Sequence, residues 1–225
     1  YIQRIQPAER SASLYECVRL LRSLPESAQP GTPARRELGI ALFYLIAEDQ
    51  LWDTPSPERE EMLEIFTQEQ EKFYLSEVYY YSAGVATSQG KLRQAKTDIE
   101  KSLAICIEIE DIDGMSSRTL SLGDFALWAG DYQKAEYLYN QSAVLCQEAN
   151  NRWFPTILNN SRVWLEMAQG HYAEASRLGE EALSIFREYY LVTEGTSLHW
   201  LQGDRIQLAW IQGDESRVLE LANEV

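Results

Sequence analysis

The stretch Gly130-Asp131-Tyr132-Gln133-Lys134-Ala135 decides the fold, because it recurs. Forty residues on stands Gly170-His171-Tyr172-Ala173-Glu174-Ala175, and forty residues back stands Gly90-Lys91-Leu92-Arg93-Gln94-Ala95. Each copy closes one run of apolar residues at helical spacing and opens another. A fixed period of this size belongs to repeat architectures, in which each unit buries its apolar face only against its neighbours. The expected fold is therefore all-α, a right-handed α-solenoid of antiparallel helix hairpins, and such arrays present a binding surface.

Columns read at a spacing of forty fix the register. Ala95, Ala135 and Ala175 form one, where a small residue lets two antiparallel helices approach. Leu92, Tyr132 and Tyr172 form a second, with Trp52 as its degenerate member. Ile65, Ile105, Leu145 and Ile185 form a third, and Leu63, Leu103, Ala143 and Leu183 a fourth. Cys106 and Cys146 also share a column, with Phe66 and Phe186 one repeat outward, so they read as small core thiols of a reducing compartment. With Cys17 as the third cysteine, there is no disulfide framework.

In chain order, residues 9–33 read as an N-terminal cap helix and loop. The helix covers about 9–23 with Ser11 or Ser13 as its cap, and the loop is Gln29-Pro30-Gly31-Thr32-Pro33. A degenerate repeat follows over 34–72, its helices at about 34–49 and from Ser56-Pro57-Glu58. Ser56 suits an N-cap and Pro57 the first turn. The next repeat covers 74–112 (helices 74–88 and 92–108). Another covers 113–152 (115–129 and 133–148), and another 153–192 (153–169 and 173–188). A truncated repeat spans 197–225, with helices at 197–212 and from Glu215. Gly170 and Gly213 lie 43 residues apart, which places an insertion of three between Tyr190 and Thr196. Together 1–225 reads as one repeat domain. It opens on Tyr1 and ends at Glu224-Val225 inside a helical pattern, so it reads as a piece of a longer polypeptide.

Composition sets the class. The chain has 45% hydrophobic residues, 7 Pro, 12 Gly and a net charge of −15 from 20 basic and 35 acidic side chains. Such a surface repels phosphate backbones and anionic lipid, so neither nucleic acid nor membrane is an expected partner of this segment. No apolar run approaches the ~20 residues that span a bilayer, and no signal peptide is visible. A cytoplasmic location is the expectation.

Leu122-Gly123, Ala126, Gly130-Asp131-Tyr132, Ala135, Tyr139 and Ser142-Ala143 carry a pattern that resembles the tetratricopeptide repeat (TPR) over about residues 34–225. The forty-residue period exceeds the usual ~34 and is similar to the longer units in sensor arrays of bacterial STAND-type signalling proteins, such as LuxR-type activators resembling the maltotriose-sensing regulator. Asp111-Ile112-Asp113-Gly114 resembles turns of those arrays. Two departures stand out: Arg162-Val163 where Leu-Gly is expected, and Ser216-Arg217-Val218 without the small residue. The resemblance implies a TPR-like superhelix in a signalling or transcription-regulatory protein, with flanking effector domains on the same chain and oligomerisation compatible with that role.

Chemistry-bearing motifs do not assemble. Gly84 through Gly90-Lys91-Leu92 has five residues between its glycines, and Leu92 stands where a P-loop needs Ser or Thr. Around Gly114 a calcium loop would place Ile109 and Leu120 at positions that require carboxylates. His171 and His199 lack the partners of a zinc site or a nucleophilic triad. The expectation is a non-enzyme with no catalytic residues, no metal and no cofactor.

The resemblance places the first helix of each pair on the concave wall. Counting back from the turn glycines, the candidate ligand-binding residues are Tyr80, Asp124, Trp128, Asn160, Trp164, Trp200, Gln207 and Trp210. Four of the six tryptophans are among them. Aromatic anchors with placed polar groups suit a peptide, a protein segment or a small molecule such as a sugar. Two readings of these tryptophans stand side by side: groove-facing anchors, or filling between repeats. Function likewise stays open between a sensor that changes shape on binding, a passive protein–protein scaffold and a peptide-pheromone receptor.

Overall fold

A computed structural model describes residues 7–48, 52, 56–152, 154–189 and 199–223. Among them are eleven α-helices and no strand. The chain divides into two compact units, residues 1–110 and 111–225. No helix among the described residues is long and apolar enough to cross a membrane.

The first unit runs α1 (Pro7–Ser23), a 3-10 turn (Pro25–Ala28), α2 (Pro33–Glu48), α3 (Pro57–Gln68), α4 (Lys72–Ser88) and α5 (Leu92–Glu108). Helix α1 already begins at Pro7, so Ser11 and Ser13 lie inside it and do not cap it. Ser56 does cap α3, its side chain accepting from the Arg59 backbone N–H at 3.2 Å, and Pro57 opens the helix. The core here is apolar and aromatic, built from Leu42, Phe43, Leu45, Ile46, Met62, Ile65 and Phe66. Trp52 belongs to this core: its ring stacks on Tyr81 at 4.8 Å and meets Phe43 edge-on at 5.4 Å. Leu92, Tyr132 and Tyr172, its expected column mates, are instead exposed. The rest of the stretch 51–55 lies outside the described residues, as does the expected insertion at 190–196.

The second unit runs α6 (Ile112–Trp128), α7 (Tyr132–Glu148), α8 (Phe154–Ala168), α9 (Tyr172–Tyr189), α10 (His199–Ile211) and α11 (Glu215–Ala222). Helices α6 and α7, α8 and α9, and α10 and α11 pair as hairpins; α7 packs on α8, α9 on α10, and α6 also touches α8. Observed helix limits fall within about one turn of those read from sequence. Ends fray across such a margin, because the apolar period is silent in the polar first turn.

Turns alternate along the period. Within hairpins the chain reverses at Gly90, Gly130, Gly170 and Gly213, with φ of 72°, 78°, 79° and 73°. At the α6–α7 turn, Gly130 N–H bonds to Leu127 O (2.9 Å) and Asp131 N–H to Ala126 O (2.9 Å), which satisfies carbonyls at the end of α6. Asp131 then caps α7 by accepting from the Lys134 N–H, and Asp214 caps α11 likewise. Between repeats the left-handed position falls on Gln70, Glu110 and Asn150, φ 54°, 57° and 52°. Sequence gave no sign of that, since none of the three is glycine.

Small residues hold the hairpins together. Ala95, Ala135 and Ala175 are fully buried. Beside them, buried serines tie the two helices of a hairpin: Ser116 Oγ donates to Ser142 O and Ser142 Oγ to Ser116 O, both at 2.9 Å. Ser102 Oγ donates to Ser76 O at 2.9 Å in the α4–α5 hairpin. One repeat further on, the equivalent positions hold Thr156 and Ala182, and Thr156 Oγ1 is buried without a partner. Cys106 and Cys146 are buried as expected, whereas Cys17 is exposed. The Cys106 thiol meets Ser76 Oγ at 3.0 Å, and Cys146 donates to Asn151 O at 3.2 Å.

The departure at Arg162-Val163 has a structural partner. Gly123 on α6 faces the fully buried Tyr139 ring of α7, with no room for a side chain. In the α8–α9 hairpin the sizes are exchanged: Val163 stands at the Gly123 position and Gly179 at the Tyr139 position, where a Cβ on Gly179 would lie 3.9 Å from Val163 Cγ2. Arg162 extends instead to Asn140 Oδ1 on α7 (2.9 Å). One repeat later Arg205 reaches Glu180 Oε1 on α9 (2.7 Å). An apolar position has become a charged tie between successive hairpins.

Candidate interaction site on the leading helices of the second unit

The second unit's leading helices are α6, α8 and α10, and the candidate residues on each lie three or four positions apart: Asp124 and Trp128, Asn160 and Trp164, Gln207 and Trp210. From α6, Trp128 is 55% exposed, with Phe125 edge-on to it at 5.2 Å. From α8, Trp164 is 37% exposed, and from α10, Trp210 is 70% exposed. Of the two readings, filling between repeats asks for buried indoles, and these three are exposed. Among the described tryptophan side chains, Trp52 is the one that fills core. Trp200 lies on α10, but its side chain is outside the described residues.

The polar candidates divide. Asp124 is not freely presented: it accepts from the Tyr139 hydroxyl at 2.8 Å and from Ser161 on α8, so it ties α6 to its own hairpin and to the next. Burial outweighs the lowering by these two hydrogen bonds and leaves its carboxyl raised to about 6. The same burial, with Asp124 beside it, raises the Tyr139 hydroxyl. Asn160 is half-buried and its Oδ1 is fully enclosed without a donor. Gln207 is exposed. Tyr80 sits in the first unit, half-buried on α4 and edge-on to Tyr81.

Sequence reading missed Asp204. It is half-buried on α10, and burial outweighs a hydrogen bond from the Trp164 side chain to leave its carboxyl raised to about 6. The indole N–H is Trp164's sole donor, so α8 and α10 are joined as α6 and α8 are joined by Ser161 and Asp124. The two contacts are equivalent, since Asp124 and Trp164 share a column and Ser161 and Asp204 stand nine residues before their turn glycines. The residue types swap roles between donor and acceptor. That exchange hides the column from any search for recurring residues.

Basic side chains on these helices are turned to other duties. Arg162 serves Asn140, Arg205 serves Glu180, and Arg118 is buried and donates to Ser117 Oγ at 2.7 Å. His171 pairs with Glu166 at 2.8 Å in the open. Among the described residues no group of His, Cys, Asp and Glu could hold a metal ion. A cleft of about 400 Å³ lined by Cys146, Asn150, Pro155 and Ile185 lies by the α7–α8 turn, at the other end of these helices from Trp128. What the leading helices offer is an open face of flat aromatic surfaces and acceptors.

No family model and no curated protein matches the chain. Solved structures do. BtubC (BKLC) from P. vanneervenii superposes with a TM-score of 0.68 at 16% identity, over 98% of this chain and 89% of that one. Two structures of a Podosopora anserina protein assigned as a kinesin light chain, with nearly identical TPR-like repeats, give TM-scores of 0.48 and 0.46. Their identities are 18% and 16%, over 96% and 95% of this chain and 94% and 93% of theirs. With eleven helices and no strand among the described residues, the chain has the all-α fold of TPR-like repeat solenoids.

Proposed function

We propose that this chain is a non-catalytic interaction module whose second unit holds a segment of a partner protein on the face of α6, α8 and α10. The observation that carries this reading is the exposure of Trp128, Trp164 and Trp210 on successive leading helices. Large aromatic side chains exposed on successive helices suit an interaction surface, and tryptophan is among the residues most enriched at binding hot spots. BtubC shares the fold, which supports a repeat surface of this kind. A signalling setting, as in the bacterial sensor arrays, rests on the sequence resemblance alone.

A displayed library of random twelve-residue peptides tests the reading. Panning against the wild-type chain is expected to enrich peptides that no longer bind the Trp128→Ala, Trp164→Ala, Trp210→Ala triple variant at unchanged helicity by circular dichroism. Peptides that bind the triple variant equally well, or no enrichment at all, overturn it. Small-angle scattering with and without a selected peptide then separates a shape-changing sensor from a passive scaffold.

A further inference from the structure

Donors and acceptors on this face do not balance. Asn160 Oδ1 is enclosed with no donor, and Asp204 draws on the Trp164 side chain. Asp124 spends its oxygens on Tyr139 and Ser161. Trp164 follows Asn160 by one helical turn, so the orphan acceptor and the indole share a side of α8. Gln207 and Trp210 follow Asp204 along α10, and both are exposed. The arginines of α6, α8 and α10 reach Ser117, Asn140 and Glu180. With the chain at −15 overall, the half-buried Asp204 carboxylate lies in negative potential next to π surfaces.

We propose that the partner segment seated here is basic and extended, and that it places a lysine or arginine side chain against Asp204 with its cationic head over the Trp164 or Trp210 ring. The proposal rests on the interaction face described above and names the chemistry of what it takes. A guanidinium or ammonium supplies donors that the face lacks, pairs with a half-buried carboxylate, and gains from the ring quadrupole. An acidic segment would meet Asp204 with like charge.

The test uses three fluorescein-labelled twelve-residue peptides, four repeats each of Gly-Arg-Leu, Gly-Gln-Leu or Gly-Glu-Leu, titrated with the intact chain at pH 7.5 and read by anisotropy. The Arg peptide is expected to bind at least tenfold more tightly than the Gln peptide, and the Glu peptide not at all. Asp204→Asn should weaken the Arg peptide about tenfold, while Glu136→Gln, the same charge change on exposed α7, should alter it less than twofold. Equal losses from both variants would mean general attraction to an acidic protein and would overturn the site. Trp210→Ala, at the most exposed indole, should also weaken binding at unchanged helicity. Loss of the Arg peptide to submillimolar spermidine as readily as to unlabelled Arg peptide would assign the site to a free polyamine and overturn the peptide. If the Gln or Glu peptide binds best and Trp164→Ala or Trp210→Ala abolishes it, the face stands and its cationic preference falls. If no peptide depends on either tryptophan, both readings fall.

Discussion

Replacing Gly123 by alanine sets a methyl group against a ring that has nowhere to go. The added Cβ would lie 2.5 Å from Tyr139 Cε1 and 2.7 Å from Cδ1, where ordinary carbon contacts need about 3.5–4.0 Å. Tyr139 is fully buried and its hydroxyl is anchored on Asp124, so the ring cannot swing away without losing that bond. Overpacking of this kind costs about 1–3 kcal/mol, and alanine returns up to about 1 kcal/mol of helix propensity. A net loss of about 1–2 kcal/mol follows. Tyr139→Ile alone should cost about 2–4 kcal/mol through the lost ring volume and the lost hydrogen bond. The double variant, however, copies Ala83 and Ile99, the buried residues at the same two positions one repeat earlier. In that background the alanine methyl meets no ring, so the two changes should couple favourably by the overpacking term, about 1–3 kcal/mol. Urea unfolding of the four proteins, followed by far-ultraviolet circular dichroism, closes the cycle. Additivity to within about 0.5 kcal/mol would refute the claim that the Gly123–Tyr139 contact sets this hairpin's spacing.

Three other perturbations test single features. Asp124→Asn removes a carboxyl whose folded value stands near 6 against an unfolded value near 4. Ionisation costs the fold nothing below the unfolded value, and the cost grows until pH passes the folded one. The variant should therefore match wild type at pH 4 and exceed it by up to about 3 kcal/mol at pH 7.5; a gain that shrinks with rising pH would contradict this. Thr156→Val removes the hydroxyl that has no partner and should be neutral or stabilise by about 1 kcal/mol in thermal unfolding; a clear loss would show that Oγ1 is in fact satisfied. Glu110→Gly relieves a left-handed residue (φ 57°) and should stabilise by about 0.5–1 kcal/mol, whereas the same change at Glu108 on the neighbouring helical turn should destabilise.

Most of the fold was legible because the same environment recurs every forty residues and, where it demands one residue type, that type recurs with it. Ala95, Ala135 and Ala175 repeat because only a small side chain fits where two helices cross. Gly90, Gly130 and Gly170 repeat because each hairpin reverses through a left-handed residue. Between repeats that argument was silent, since Gln70, Glu110 and Asn150 accept the strain without glycine.

The candidate face was only half legible. Spacing from the turn glycines placed Trp128, Trp164 and Trp210 on the leading helices, but a period says which side of a helix a residue occupies and not whether a neighbour covers it. Asp124 read as a presented polar group and turned out to be a tie between hairpins. Asp204, which takes the corresponding part for Trp164, carried no periodic mark at all.

Sequence alone thus determined the helical hairpins, their forty-residue register and the small-residue columns along which they close. Only the tertiary structure decided the rest: Gly123 with Tyr139 against Val163 with Gly179, Arg162 on Asn140 and Arg205 on Glu180, and three indoles left open to solvent. The reason is that packing conserves a sum across a contact, of volume, of charge or of donors and acceptors. Its two members can exchange identities from repeat to repeat while the sum is kept, and no single column records the exchange.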